Sequence, residues 1–226
     1  MSEKRAAGAS AAAVEYNNDI MRLILVRHGE TEDNAANIVQ GQTHGRLSAN
    51  GRSQAESAAL RLKGTRIDAI YTSDLERVRD TAAAIAAHLA DMPRTEDTRL
   101  REQNFGIFEG RPIDELLREM ADERVDFSAF APAGGETRAD FEARIIDFFH
   151  EMRARHADEA VLIVTHYGVI NILLGRLLKH ASPLSQDWQI ANGSVTILDV
   201  DQDGRGEPHV LNDVAHLSGN GQPAIV

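Results

Sequence analysis

Cysteine is absent from this chain of 226 residues. Its absence excludes disulfide bonds, thiol nucleophiles and cysteine-ligated metal sites, and it fits a reducing compartment such as the cytosol. The sequence also lacks any apolar run near the roughly 18 residues of a membrane-spanning helix, and residues 1–20 lack the apolar core of a signal peptide. We therefore expect a cytoplasmic protein with no membrane partner.

Positive charge is scarce as well. The chain has 24 lysines and arginines against 35 aspartates and glutamates, which gives a formal net charge of −11. Such a surface repels nucleic acid, so no nucleic-acid partner is expected, and a phosphorylated substrate would have to be attracted by a local group of arginines. With 42% hydrophobic residues, the chain can still bury a full core.

Short apolar runs alternate with amphipathic segments along most of the chain. Strands are predicted at 23–26, 67–72, 95–100 and 160–165, and helices at 49–63, 112–120 and 169–178, with further helices after Asp74 and after Thr137. This order predicts an α/β fold of three layers, in which a mostly parallel, doubly wound sheet carries helices on both faces. An Asp-Gly turn at 203–204 predicts a hairpin that adds an antiparallel edge strand.

Three segments stand apart from that pattern. Residues 1–20 are interpreted as a flexible extension and residues 218–226 as a flexible tail, on either side of one domain at 21–217. The segment 111–135 has loop residues around one helix, so it is expected to form a small helical lid insertion. At the helix starts, Ser48, Ser73-Asp74 and Thr137 are expected to act as N-terminal caps. The helix after Thr137 is expected to bury its apolar stripe in the core.

Reactive side chains follow several of the predicted strands. Arg27 and His28 come directly after the first strand, Arg77 opens the helix after the second, Glu102 follows the third, and His166 follows the strand at 160–165. Ligands of open α/β sheets bind beyond the carboxyl ends of the strands, so we expect these groups to converge. Arginine forks match phosphate oxygens, and the sequence therefore predicts a phosphate pocket at this edge.

These residues lie in motifs that resemble the histidine phosphatase superfamily, which includes the cofactor-dependent phosphoglycerate mutases. The resemblance covers nearly the whole chain after Met21. The matching stretches are Arg27-His-Gly-Glu-Thr31, Leu47-Ser-Ala-Asn-Gly51, Tyr71-Thr-Ser-Asp-Leu-Glu-Arg77, Arg101-Glu-Gln-Asn-Phe-Gly106, Gly134-Gly-Glu-Thr137 and Thr165-His-Tyr-Gly168.

The resemblance implies an enzyme that needs neither a metal nor another cofactor. In it, His28 would be the nucleophile, Glu102 would handle protons, and Arg27, Arg77 and His166 would hold the phosphoryl group. The further positions that it places in the substrate pocket are Asn34, Gln40, Gly41, Tyr167 and Gly168. The chemistry is consistent, because a neutral imidazole has a lone pair for in-line attack and fixed positive charge stabilises the transferring phosphoryl group.

Two stretches favour hydrolysis over isomerisation. Thr165-His-Tyr-Gly168 and Phe105-Gly-Ile-Phe-Glu-Gly110 look like the phosphatase branch of the superfamily. We therefore predict a metal-independent phosphomonoesterase acting on a small phosphorylated metabolite through a phosphohistidine. A phosphoglycerate mutase using the same intermediate is the alternative, and a protein that only binds phosphometabolites is a third. The sequence leaves open the substrate, a homodimer, and whether lid residues Arg111, Arg118 and Arg124 contact a second anion or only water.

Overall fold

The computed structural model describes residues 20–89, 92–126, 129–178 and 188–217. The predicted flexible extension at 1–20, apart from Ile20, and the predicted tail at 218–226 therefore lie outside the described residues. The strands are β1 Met21–Arg27, β2 Ala69–Thr72, β3 Arg94–Glu96, β4 Ala160–Thr165, β5 Val195–Val200 and β6 Gly206–Asp213. The α-helices are α1 Glu32–Ala35, α2 Ala49–Leu62, α3 Glu76–Ala86, α4 Ile113–Glu123, α5 Arg138–Arg155 and α6 Tyr167–Leu177. Three 3-10 turns lie at Thr98–Leu100, Gly106–Phe108 and Ala215–Leu217.

The strands form one sheet in the order β3-β2-β4-β1-β5-β6. Strands β1 to β4 run parallel, β5 is antiparallel to β1, and β6 pairs antiparallel with β5. The predicted α/β class and the hairpin after Val200 are confirmed. The structure adds that β5, the strand of opposite direction, is second from the edge.

Strands β1 and β4 lie at the centre of the sheet, and all six residues of β4 are buried. Alternate side chains of β1 enter two different layers: Leu23 and Leu25 pack with the α5 and α6 side, while Ile24 and Val26 pack with the α2 and α3 side. Strands covered on both faces carry continuous apolar runs, which is why this part of the sequence was readable as buried sheet.

Two helix starts agree with their predicted caps. Ser48 accepts a hydrogen bond from the Gly51 amide at the start of α2, and Thr137 accepts one from the Asp140 amide at the start of α5. The apolar stripe of α5 is buried as expected, and it consists of Phe141, Ile145, Phe148, Phe149 and Met152.

The predicted cap at Ser73-Asp74 is wrong. Helix α3 begins after Leu75, and no side chain caps it. The Ser73 hydroxyl lies 3.0 Å from His166 Nε2 instead, and the Asp74 carboxylate pairs with Arg101. Both side chains thus bind partners that are distant in sequence and do not cap α3 as their position suggested.

The strand predicted at 95–100 is also shorter than expected. Strand β3 ends at Glu96, and the Asp97 carboxylate then accepts a 2.8 Å hydrogen bond from the Arg99 amide. That bond caps a 3-10 turn, which directs Leu100 into the core. The turn is what brings the following residues, including Glu102, over the sheet edge.

The lid segment has its own small core. Helix α4 packs with the loop residues around it through a separate cluster of buried side chains: Val39, Phe108, Leu116, Met120 and Phe130. Backbone hydrogen bonds from Val39 to Arg111 and from Gly110 to Val39 fasten this segment to the loop at 37–41. Within the described ranges, no helix has both the length and the apolar character that crossing a membrane would require.

Candidate active site

The side chains predicted to converge meet at the carboxyl ends of β1 and β4. The imidazole centroids of His28 and His166 are 5.3 Å apart. The His28 amide donates to the carbonyl of Thr165 at 3.0 Å, which joins the two strand ends directly. Glu102 reaches the same place, because its carboxylate accepts a 3.0 Å bond from the amide of Gly168.

His28 is held in one tautomer. Its Nδ1 lies 2.8 Å from the carbonyl oxygen of Gly29, which can only accept, so Nδ1 carries the proton and Nε2 keeps its lone pair. Burial lowers the pKa of His28 well below 6.5, and the positive charges of Arg77 and Arg27 lower it further. The ring is therefore neutral at physiological pH, and its Nε2 keeps the lone pair that a nucleophile requires.

His166 is the second buried imidazole of the site. Its Nε2 contacts the Ser73 hydroxyl at 3.0 Å, while its Nδ1 is buried and has no hydrogen-bond partner. Burial lowers its pKa well below 6.5, and the positive charges of Arg77 and Arg27 act in the same direction. A buried nitrogen without a partner is unusual, and a phosphoryl oxygen would supply one.

Arg77 is almost completely buried, with 1% of its surface exposed. Its two terminal nitrogens donate to loop carbonyls, those of Gly41 at 2.7 Å, Thr43 at 2.6 Å and His44 at 3.3 Å. Its Nε is buried without a partner. Burial lowers the pKa of Arg77 to about 10, against the opposing effect of Glu102, so the group remains a cation at neutral pH.

Arg27 provides the second cation. Its Nη1 donates to the carbonyl of Ile190 at 2.5 Å, its guanidinium lies 5.2 Å from the centroid of the Tyr167 ring, and its Nε has no partner. Burial lowers its pKa to about 10, while the charge of Glu102 raises it. Both arginines thus keep an unpaired Nε–H, which suits a tetrahedral anion between them.

Glu102 is oriented by two backbone amides. One carboxylate oxygen accepts from the Gln103 amide at 2.9 Å and the other from the Gly168 amide at 3.0 Å. A Cβ on Gly168 would come within 2.3 Å of the Glu102 carboxylate, so only glycine permits this approach.

The loop that carries Glu102 rests on an ion pair that sequence reasoning missed. Arg144 of α5 donates to the carbonyls of Arg99, Arg101 and Glu102 at 2.6 to 2.8 Å. The same guanidinium pairs with Glu136 at 2.7 Å. The signal in the sequence that could have revealed this ion pair was an arginine next to the apolar stripe of a core helix.

The remaining pocket positions surround the two arginines. Asn34 uses its Oδ1 to accept from Thr31, and the Asn192 amide group bridges this oxygen to the His28 carbonyl. Gly41 has φ of +51° and offers its carbonyl to Arg77. The buried Oε1 of Gln40 has no partner.

The lid arginines do not join this group through any described contact. Arg111 is exposed and lies 3.8 Å from Glu115, and Arg118 and Arg124 are exposed as well. In the described parts of the chain, no group of three or more His, Asp or Glu residues is placed to hold a metal ion.

Several known proteins have sequences similar to that of this chain. The family model described as histidine phosphatase superfamily (branch 1) matches residues 23–213. Metal-independent phosphoserine phosphatase of Arabidopsis thaliana is 32% identical over 218 residues, which is 92% of this chain and 88% of that protein. Glucosyl-3-phosphoglycerate phosphatase of Mycolicibacterium vanbaalenii is 37% identical over 184 residues, 77% of this chain and 80% of that protein.

A solved structure has a similar fold. YhfR of Bacillus stearothermophilus superposes with a TM-score of 0.77 at 33% identity, covering 87% of this chain and 99% of that one. The sheet, the family match and the named relatives lead to one conclusion. This chain belongs to the histidine phosphatase superfamily and is a phosphatase.

Proposed function

We propose that this phosphatase is a metal-independent phosphomonoesterase that acts through a phosphohistidine on His28. The observation that carries the proposal is the bond from His28 Nδ1–H to the Gly29 carbonyl, because it leaves Nε2 as the nucleophilic atom near the cations of Arg27 and Arg77. The unpaired Nε–H groups of Arg27 and Arg77 support it, since a phosphoryl group would satisfy both.

In the first step, His28 Nε2 attacks phosphorus in line and the bond from phosphorus to the ester oxygen breaks. Glu102, entering protonated, gives its proton to that leaving oxygen. The new phosphohistidine is cationic at the ring, and the Nδ1–H donation to Gly29 stabilises it. Arg27 and Arg77 balance the charge that spreads over the phosphoryl oxygens.

In the second step, water attacks the phosphohistidine. Glu102, now a carboxylate, takes a proton from that water, the phosphorus–nitrogen bond breaks, and inorganic phosphate leaves. The electron pair of the broken bond returns to His28 Nε2, so the neutral ring and the protonated carboxyl are restored. The cycle needs no metal, which agrees with the name of the Arabidopsis relative.

The names of the relatives support the proposed substrate class. Their names specify phosphoserine and glucosyl-3-phosphoglycerate, both small phosphorylated metabolites. The proposal for this chain is therefore a small phosphomonoester rather than a phosphoprotein or a polynucleotide. The cytoplasmic location and a homodimer stay predictions.

The first experiment measures product formation after EDTA treatment. The pure protein is incubated with a panel of phosphomonoesters that includes 3-phosphoglycerate, and both inorganic phosphate and 2-phosphoglycerate are measured. We expect phosphate release without isomer. Formation of 2-phosphoglycerate that depends on a bisphosphate primer would instead identify a mutase.

A substitution tests the covalent intermediate. His28→Ala should reduce turnover at least about a thousandfold and abolish the acid-labile phosphoprotein trapped by rapid quench. The exposed His150→Ala is the matched control and should keep both signals. Retention of more than a few per cent of wild-type turnover in His28→Ala would rule out covalent catalysis at this residue.

The role of Glu102 is tested with leaving groups. Glu102→Gln should reduce kcat about 100- to 10,000-fold on alkyl phosphates, whose alkoxides need a proton, and much less on p-nitrophenyl phosphate. Equal losses on both classes of ester would count against general acid catalysis by Glu102.

A further inference from the structure

Buried guanidinium Nε atoms without a hydrogen-bond partner occur at three arginines of the described chain: Arg27, Arg77 and Arg138. The first two hold the proposed phosphoryl site. The third has no role in the reaction described above. Buried N–H groups are nearly always paired in folded proteins, so an unpaired one in a cation calls for an explanation.

Arg138 stands close to the proton-handling side of the site. It is the first residue of α5, and its guanidinium lies 5.7 Å from the centroid of the Phe141 ring. Two carbons of that ring are 3.0 Å from the position that a Cβ on Gly168 would occupy, and the Glu102 carboxylate is 2.3 Å from the same position. Phe141 thus contacts both the cation and the Gly168–Glu102 pair.

The chain just before Arg138 is tied to the Glu102 loop as well. Glu136 accepts from the Asn104 amide at 2.9 Å, and its carbonyl accepts from the Gln103 side chain at 3.0 Å. These bonds place the start of α5 at the sheet edge where the ester would lie. Arg138 therefore lies at the end of α5 that is tied to the Glu102 loop, rather than along the body of the helix.

The charge of Arg138 is not used within the described chain. No ion pair of Arg138 with a described carboxylate is formed, and its side chain is partly exposed. Arg144, which lies 4.8 Å from the centroid of the same Phe141 ring, is the contrasting case, because Glu136 and three carbonyls occupy its donors. Arg144 therefore stabilises the fold, whereas Arg138 has donors that no described group uses.

We propose that Arg138 binds a carboxylate on the leaving group, so that the preferred substrates are phosphomonoesters of small hydroxy acids. The inference rests on the proposed function in one respect: Glu102 protonates the leaving oxygen, so the leaving group must lie on the side of Glu102, which is also the side of Arg138. The planar fork of a guanidinium matches a carboxylate and would pair the buried Nε–H.

The test uses two pairs of esters that differ in the carboxylate. O-phosphoserine is compared with O-phosphoethanolamine, and 3-phosphoglycerate with glycerol 3-phosphate. The wild-type protein should prefer the carboxylate member of at least one pair. Arg138→Ala should lower kcat/KM for that member about 10- to 100-fold, mainly through KM, and change the other member less than twofold.

Two controls accompany the variant. Arg118→Ala removes an exposed lid arginine and should leave both members of each pair unchanged. Turnover of p-nitrophenyl phosphate by Arg138→Ala should stay near the wild-type value and shows that the site is folded.

Failure of this inference is separable from failure of the proposed function. No carboxylate preference in the wild type, or equal losses on both members in Arg138→Ala, would overturn the role of Arg138 while phosphatase activity remained. Absence of any turnover and of a phosphohistidine in the wild type would overturn the proposed function itself, and the inference with it.

Discussion

At the scale of single residues, burial keeps the two site histidines uncharged. Desolvation is the largest cause of the lowered pKa of both His28 and His166, and the nearby guanidinium groups add to it. The same burial leaves Arg27 and Arg77 charged, because a pKa of about 10 is still far above neutrality. One environment thus provides both neutral imidazoles and fixed cations.

This arrangement predicts how stability depends on pH. In the unfolded chain a histidine takes up a proton near pH 6.5, whereas folded His166 does so only at much lower pH. The unfolded state therefore binds more protons below pH 6.5, and the free energy of unfolding decreases as the pH falls through that value. Above pH 6.5 the folded and unfolded states bind the same number of protons at this histidine, so it no longer changes the free energy of unfolding.

Urea unfolding at pH 7.5 and pH 5.5 measures the effect. His166→Gln should lose less stability over this interval than the wild type, by up to about 1.4 kcal/mol. The exposed His150→Gln should lose as much as the wild type. An unchanged acid loss in His166→Gln would show that this histidine is not kept neutral by the fold.

At the scale of elements, α5 supports the loop that follows the turn at Thr98–Leu100. Arg144 and Glu136 are both mostly buried, with side-chain exposures of 17% and 22%. Although burial acts to raise the pKa of Glu136, donation by Arg144 and by the Asn104 amide holds it below its ordinary value. Arg144 is therefore a positioning residue for Glu102.

Arg144→Met should affect leaving groups unequally. Displacing the Glu102 loop should reduce kcat on alkyl phosphates about tenfold or more and kcat on p-nitrophenyl phosphate by a smaller factor. The free energy of unfolding should fall by about 1 to 3 kcal/mol. Arg144→Lys should restore little, because an ammonium cannot reach the same set of acceptors.

The matched control is Arg155→Met in the last turn of the same helix. Arg155 is 59% exposed and pairs with Glu151, so its loss should change stability by less than about 0.5 kcal/mol and leave activity intact. A uniform loss across both ester classes in Arg144→Met would assign Arg144 to folding alone.

At the scale of the whole molecule, the predicted lid segment packs around an apolar cluster of its own. Its cluster around Leu116 is separate from the two clusters that cover the faces of the sheet. Separate apolar clusters allow separate local unfolding. We therefore expect that this segment can unfold locally without disturbing β1 and β4.

Leu116→Ala tests this independence. Leu116 is 1% exposed, and truncating it should destabilise the lid by about 2 to 5 kcal/mol. We expect faster amide hydrogen exchange at 105–126 and unchanged protection in β4. The neighbouring Leu117→Ala, at a site with 43% exposure, should change neither. Faster exchange throughout the sheet in Leu116→Ala would show one cooperative core instead.

The charge distribution also belongs to this scale. The chain carries a net charge of −11, yet the buried Arg77 and the half-buried Arg27, each with an unpaired Nε–H group, lie at the sheet edge. The expectation that local arginines must attract a phosphate into an acidic protein agrees with this geometry.

The sequence by itself determined the α/β class, the buried runs of β1 and β4, and the residues that meet at their ends. Buried parallel strands must be continuously apolar, and the carboxyl ends of such strands share one edge. Reactive residues directly after Val26 and Thr165 therefore had to come together, however far apart they lie in the chain.

Only the tertiary structure decided the partners of Ser73, the support of Glu102 by Arg144 and the location of Arg138. Each depends on contacts between segments that are distant in sequence, for which no local pattern exists. Ser73 shows this most clearly, because its position suggested a helix cap. Its hydroxyl instead contacts the buried imidazole of His166, which follows the neighbouring strand β4. Local propensity yields when burial supplies a stronger partner.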